Sequence, residues 1–234
     1  MRKQGVLLLV VLMWGVSSHS GWAQTVSPVA PGERIRNLDQ FKTELKDYHD
    51  CTASRACYQR DLELQADRAI AFLKRRVGHV RVGEKLAVVL DIDETTLSNY
   101  EEMAGADFAY DDAKFNAWVD SAKAPAIQGT LRLYKEAQQL GMHVFFITGR
   151  KESQRAVTEQ NLHSQGFDGW QELVLRQAGE EKSTAVAFKS AARAKIAAQG
   201  YRIILNVGDQ WSDLQGKPMA EYSVKYPDPY YFLK

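Results

Sequence analysis

Leu86-Ala87-Val88-Val89-Leu90-Asp91-Ile92-Asp93-Glu94-Thr95-Thr96 joins a short apolar run directly to two aspartates that stand two residues apart. A run of this length, rich in β-formers, is a buried strand, and the acids fall where that strand leaves the core. Like charges so close raise one another's pKa unless a cation or a proton compensates, so the pairing asks for a metal or for acid/base work. The plainer alternative is an acidic N-cap on a following helix.

Outward from this stretch, further apolar runs at residues 143–147, 172–175, 202–207 and 222–226 alternate with amphipathic stretches at 130–140, 152–165 and 190–199. That alternation predicts an α/β fold, a Rossmann-like and mainly parallel sheet flanked by helices. In such sheets the ligand crevice lies beyond the carboxyl ends of the strands, which directs attention to the polar residues after each run. Thr148-Gly149-Arg150 follows the second run and offers a hydroxyl and backbone N–H donors, read here as the start of a helix and suited to an anionic oxygen. Alone, it is as readily a turn. Lys189 is read as opening another helix, and Gly208-Asp209-Gln210-Trp211-Ser212-Asp213 closes the fourth run with two acids four residues apart, able to face one way on a helical turn.

Residues 98–125 break the alternation. They are long for a βα connection, carry Phe108, Tyr110, Phe115 and Trp118, and are read as a small helical cap over the crevice. Upstream, residues 37–50 and 58–77 hold apolar residues at helical spacing and predict two N-terminal helices, joined by a loop containing Cys51 and Cys57.

The beginning of the chain reads as an export signal: Arg2 and Lys3, an apolar run over residues 6–16, then Gly21-Trp22-Ala23 around a cleavage point near Ala23. The run falls well short of the ~20 residues a membrane span requires. Residues 24–33, with Pro28, Pro31 and Gly32, read as a flexible tether, leaving 34–234 as the folded domain. A periplasmic or secreted protein with no membrane contact after cleavage is expected, and its two cysteines are then expected to form a disulfide. The net charge of +1 over 234 residues gives no footprint for a nucleic acid polymer, so any anion must be recognised locally. A homo-oligomer is left open.

Taken in order, Asp91-Ile92-Asp93-Glu94-Thr95, Thr148, Lys189 and Gly208-Asp209 with Asp213 resemble the four motifs of the haloacid dehalogenase (HAD) superfamily. Trp118, Ile147-Thr148-Gly149-Arg150, Asn161-Leu162, Lys189-Ser190, Gly208-Asp209-Gln210-Trp211 and Lys225-Tyr226-Pro227 extend the likeness, over about residues 35–234, to acid phosphatases of subfamily IIIB, the class C and plant vegetative storage protein group. The resemblance implies a phosphoric monoester hydrolase with Asp91 as nucleophile and Asp93 as general acid and then base. It implies Mg²⁺ held by Asp91, the Asp93 carbonyl and Asp209, with Asp213 supporting, and phosphoryl oxygens held by Thr148, Gly149 and Lys189.

The substrate expected is a small phosphomonoester, with nucleoside monophosphates favoured if Phe108, Tyr110 and Trp118 stack on the leaving group; those rings can equally fill the cap's own core. Asp93 needs its proton in the first step, so an acid optimum or a raised Asp93 pKa is expected. Related folds use the same aspartate for phosphotransfer or carbon–halogen cleavage, but the second carboxylate argues for phosphate esters. Some plant storage proteins of the group lack the nucleophile, which this chain keeps; a storage or phospho-ligand-binding protein on the same fold is the alternative.

Overall fold

Each central strand is apolar on both faces, and this decides the architecture. Leu86, Val88 and Leu90 of β1 (Lys85–Leu90) enter one buried cluster, while Ala87 and Val89 enter a second on the opposite side, as two-residue alternation requires. β2 (His143–Lys151) repeats the pattern, with Val144 and Phe146 on the first side and Phe145 and Ile147 on the second. The computed structural model describes residues 35–53, 55–180 and 183–233, so the expected export signal (1–23) and tether (24–33) lie outside the described residues. The chain divides into Met1–Asn37 and Leu38–Lys234, and every element named here belongs to the second unit.

Three further strands, β3 (Glu172–Arg176), β4 (Tyr201–Gly208) and β5 (Tyr222–Lys225), complete a five-stranded sheet in the order β3-β2-β1-β4-β5. All of its pairings are parallel. The chain steps from β1 to β2 and β3 on one side, then returns to β4 and β5 on the other. The strand order therefore reverses between β1 and β4, where a crevice opens beyond the carboxyl ends.

α1 (Leu38–His49) and α2 (Tyr58–Val77) lie where the periodicity places them, joined by a loop that the Cys51–Cys57 disulfide closes. Tyr58, Leu62, Ala66, Ala69, Ile70 and Leu73 form the buried stripe of α2. It packs against α5 (Gln128–Gln139), where a Cβ on Gly129 would come within 3.0 Å of the Ala66 Cβ, so glycine lets the two helices approach. α7 (Ala185–Ala198) covers the other face through Phe188, Ala192 and Ile196. Each such side chain withdrawn from water contributes about 1.5–3 kcal/mol for the larger residues. Among the described residues no helix is long and apolar enough to cross a membrane.

Residues 98–125 carry α3 (Tyr100–Gly105) and α4 (Asp112–Asp120), separated by Asp107 and Phe108, both at positive φ. α6 (Arg155–Ser164) and the short α8 (Trp211–Leu214) complete the helices named here.

Among the boundaries that differ from the sequence reading, two bear on the crevice. Lys189 lies inside α7 rather than at its start, because Thr184 caps the helix upstream: its Oγ1 accepts the Ala187 N–H at 3.2 Å. Thr148-Gly149-Arg150 does not open a helix, because pairing of Lys151 with Arg176 extends β2 through it. A 3₁₀ turn over Glu152–Gln154 then leads into α6.

Candidate active site

The floor of the crevice is built where β1 and β4 end. The Asp91 N–H donates to the Val207 carbonyl at 3.0 Å, so the sheet ladder itself fixes the Asp91 backbone. The chain then turns sharply: Thr96 and Leu97 both donate their N–H groups to the Ile92 carbonyl, and Glu94 is held at φ 54°. A non-glycine residue in the left-handed region is uncommon and persists where surrounding contacts fix it. Here the Glu94 carboxylate is buried and accepts from the Asn99 N–H at 2.5 Å and the Asn99 amide at 3.0 Å.

At the end of β4, Gly208 is needed for close approach. A Cβ there would stand 2.3 Å from Asp213 Oδ2, a clash no real side chain allows. The glycine admits the Asp213 carboxylate from α8, whose Oδ2 accepts the Gln210 N–H at 2.9 Å. One carboxylate oxygen from each of Asp91, Asp209 and Asp213 lies within 4.8 Å of the others, and all three residues are buried. Lys189 reaches into this group from α7. Its Nζ donates to Asp91 Oδ1 and to the Ile147 carbonyl (2.8 Å), and lies 2.9 Å from Asp213 Oδ1.

Three buried carboxylates face one ammonium, and the electrostatics show the imbalance. Burial pushes the Asp91 carboxyl well above the ordinary range; Lys189 opposes this, and Asp213, Asp209 and Asp93 add to it. Burial likewise raises Asp209, with the Asp213 and Asp228 carboxylates adding. For Lys189, burial favours the neutral amine, but Asp213 and Asp91 together outweigh it and hold the ammonium above its usual value. A buried, all-oxygen donor set with surplus negative charge fits a hard divalent cation.

Asp93 faces the other way. Arg150, buried at the end of β2, donates from Nη2 at 2.8 Å and from Nε at 3.1 Å to Asp93 Oδ1. The Asn99 amide adds a bond of 2.9 Å to the same oxygen. Burial pushes the Asp93 carboxyl up, but the charge and hydrogen bonds of Arg150, with Asn99, outweigh it and hold it below its usual value. The raised Asp93 pKa that the sequence reading allowed is therefore not found here; a guanidinium that reading left without a role sets the opposite direction.

A cavity of about 360 Å³ opens over these groups. Asp91, Asp93, Gly149, Lys189, Asp209 and Asp213 line it, as do Arg176, Gln210, Tyr231 and Leu233. Thr148 is fully buried beside it, its hydroxyl 3.4 Å from Asp93 Oδ2 and accepting the Arg150 N–H at 3.2 Å. The three aromatic residues proposed for the leaving group are not part of this lining. Trp118 packs on the core and donates its indole N–H to Asn99 Oδ1 at 2.9 Å. Phe108 stacks on Tyr230, with centroids 6.0 Å apart. Tyr110 is 76% exposed and bonds Asp112.

Arg150, Asn99, Gln210, Arg176, Tyr231 and Leu233 carry no site role in the sequence reading. Arg150 and Gln210 stand inside quoted motifs without a role, and Asn99 follows Asp93 by six, so position in or near a motif was a usable signal for them. Nothing local marks Tyr231 or Leu233.

The family model described as HAD superfamily, subfamily IIIB (Acid phosphatase), matches residues 20–234. Acid phosphatase 1 of Solanum lycopersicum is 37% identical over 205 residues, 84% of this chain and 79% of that protein. Vegetative storage protein 1 of Arabidopsis thaliana is 32% identical over 150 residues, 62% of this chain and 54% of that one. In fold, the class C acid phosphatase from Bacillus anthracis superposes with a TM-score of 0.67 at 22% identity, covering 83% of this chain and 86% of the other.

Proposed function

This chain belongs to the acid phosphatases of HAD superfamily subfamily IIIB, and on that premise we propose that it is an exported, Mg²⁺-dependent enzyme that hydrolyses small phosphate monoesters through a phosphorylated Asp91. The observation that carries the reading is the buried cluster of Asp91, Asp209 and Asp213, closed by Lys189, on the floor of a cavity. The N-terminal grammar and the Cys51–Cys57 disulfide support export, since disulfides persist in oxidising compartments.

In the first half-reaction an Asp91 carboxylate oxygen attacks phosphorus, the ester oxygen departs, and Asp93 gives that oxygen its proton. In the second, Asp93 takes a proton from water as the water oxygen attacks the aspartyl phosphate, releasing phosphate and restoring Asp91. Lys189 neutralises the transferring phosphoryl oxygens. Gly149, with no atom within 4 Å of where a Cβ would stand, keeps backbone at the cavity wall approachable. Asp91, Asp209 and the Asp93 carbonyl would hold Mg²⁺, with Asp213 bracing the set. When bound, Mg²⁺ shields the repulsion between a dianionic phosphate and the carboxylate nucleophile.

The low Asp93 pKa supports an acid optimum, because the proton needed for the leaving group is then present only at low pH. The substrates are a broad range of small phosphomonoesters; the stacking on which a preference for nucleoside monophosphates was expected is not supplied by Phe108, Tyr110 or Trp118, which lie outside the cavity lining.

Phosphate release from aromatic, aliphatic and nucleotide monoesters, with and without Mg²⁺ and from acid to neutral pH, tests the reading. Mg²⁺-dependent turnover that Asp91→Asn abolishes is the expected result. A Mg²⁺-loaded wild type with no turnover on any ester would instead favour a storage or phospho-ligand-binding role.

A further inference from the structure

We propose that Gln210 is a clasp that couples cation binding at Asp209 to docking of the segment carrying Asp228, Tyr231 and Leu233 onto the cavity. The inference rests on the reading of Asp209 as a cation ligand.

Gln210 is buried beside the acidic cluster and lines the same cavity. Its side-chain Nε2 donates to Asp209 Oδ2 at 2.7 Å and to Asp228 Oδ2 at 2.5 Å. Its Oε1 accepts the Leu233 N–H at 3.1 Å, and its backbone N–H holds Asp213. Asp228 in turn accepts the Tyr230 N–H at 2.9 Å through Oδ1. The other Asp209 oxygen, Oδ1, accepts the Thr95 hydroxyl at 3.1 Å. One planar amide thus ties an acid of the cluster to the segment that supplies Tyr231 and Leu233 to the cavity lining.

The amide has two side-chain hydrogens, and the two nearest acceptors are carboxylates on different parts of the chain. Turning it to satisfy one at the expense of the other also withdraws Oε1 from Leu233. A cation that fixes Asp209 would therefore fix the amide plane, and with it the anchor of the segment. A segment already docked would likewise present Asp209 in its ligand orientation. Coupling between two binding events is reciprocal, so each must favour the other by the same factor.

The test combines hydrogen exchange at the Tyr230 and Leu233 amides, with and without Mg²⁺, with calorimetric titration of Mg²⁺ into the same protein. In the wild type, Mg²⁺ should slow exchange at both amides by about fivefold or more. Gln210→Met should remove that Mg²⁺-dependent protection and weaken Mg²⁺ binding by roughly 10–100-fold, the usual effect of losing a group that orients a metal ligand. Leu233→Pro changes no charge, leaves Gln210 in place and deletes the amide donor, and Leu233→Ala, which keeps that donor, controls for the lost side chain; the proline but not the alanine variant should also weaken Mg²⁺ binding, and the pair decides the matter if Gln210→Met does not fold. A wild type that binds no Mg²⁺ would overturn both this inference and the cation reading. Mg²⁺ binding with unchanged amide exchange, and an affinity that Leu233→Pro leaves alone, would overturn the coupling and spare the reading.

Discussion

The Lys189 side of the crevice and the Arg150 side receive carboxylates from the same strand end, two residues apart, and treat them in opposite ways. Asp91 meets the acids of β4 and α8 and shares one ammonium with Asp213, so burial drives its carboxyl up and the cluster keeps surplus negative charge. Asp93 meets the end of β2, where a buried guanidinium and the Asn99 amide saturate it and hold its carboxyl down. Nothing in the local sequence separates the two residues. Their roles are set by what the neighbouring strand brings: β4 and α8 supply charge of the same sign, β2 supplies the opposite sign.

The largest way to break this contrast is Lys189→Met. Without the ammonium, three buried carboxylates face one another, and removing one member of a buried ion pair costs about 3–5 kcal/mol. We expect kcat to fall on the order of 10³-fold, as when a group that stabilises transition-state charge is lost. Urea unfolding should show the stability deficit at neutral pH. Carboxyls whose folded pKa is raised bind protons more readily folded than unfolded, so the deficit should shrink as pH falls. Mg²⁺ should narrow it as well. A variant as stable as wild type at neutral pH would show that the acids hold no surplus charge.

Arg150→Met attacks the other side. In the wild type the folded Asp93 carboxyl lies below its unfolded value, so the pair contributes stability that is present above the unfolded pKa, near pH 4. That contribution is lost as pH falls through the lower, folded pKa. The variant lacks it, and its deficit against wild type, about 3 kcal/mol at neutral pH, should fade at acid pH. Activity is the second reading. Burial, no longer opposed by the guanidinium, would then move Asp93 upward, so the limb of the kcat profile that reports its proton should move to higher pH, with kcat down roughly 10²-fold from lost orientation. An unmoved limb would mean that Asp93 is not the group whose proton is used.

The strands and most helices were legible because apolar periodicity is a local property, and the doubly buried runs at β1, β2 and β4 carry it strongly. The acids at strand ends were legible for the same reason, since Asp91 and Asp209 stand where apolar runs stop. Two features could not be read along the chain. Helix starts depended on a single cap: Thr184 moved Lys189 from the first turn of α7 into its interior, from which it reaches between Asp91 and Asp213. Partners across long sequence separations, such as Arg150 with Asp93 or Gln210 with Asp228 and Leu233, exist only once the sheet order and the return of the chain over the cavity are known. The rings of residues 98–125 failed locally for a different reason, because an aromatic side chain looks alike whether it stacks on a ligand or on its neighbours.

Trp118 gives the finest test of the contrast, since its indole N–H reaches Asn99 at 2.9 Å and the Asn99 amide reaches both Asp93 and Glu94. Trp118→Phe keeps most of the ring's packing and deletes one donor, which should cost about 1 kcal/mol. Freed from the indole, the Asn99 amide can rotate, and Asp93 loses part of its orientation. We therefore expect a several-fold fall in kcat, with KM for aromatic and aliphatic esters changing alike, on the order of a misplacement smaller than that of Arg150→Met. A rise in KM confined to aromatic esters and nucleotides would instead give Trp118 the stacking role that its place in the sequence suggests, and would put the leaving group on the side of the crevice that Asp93 faces.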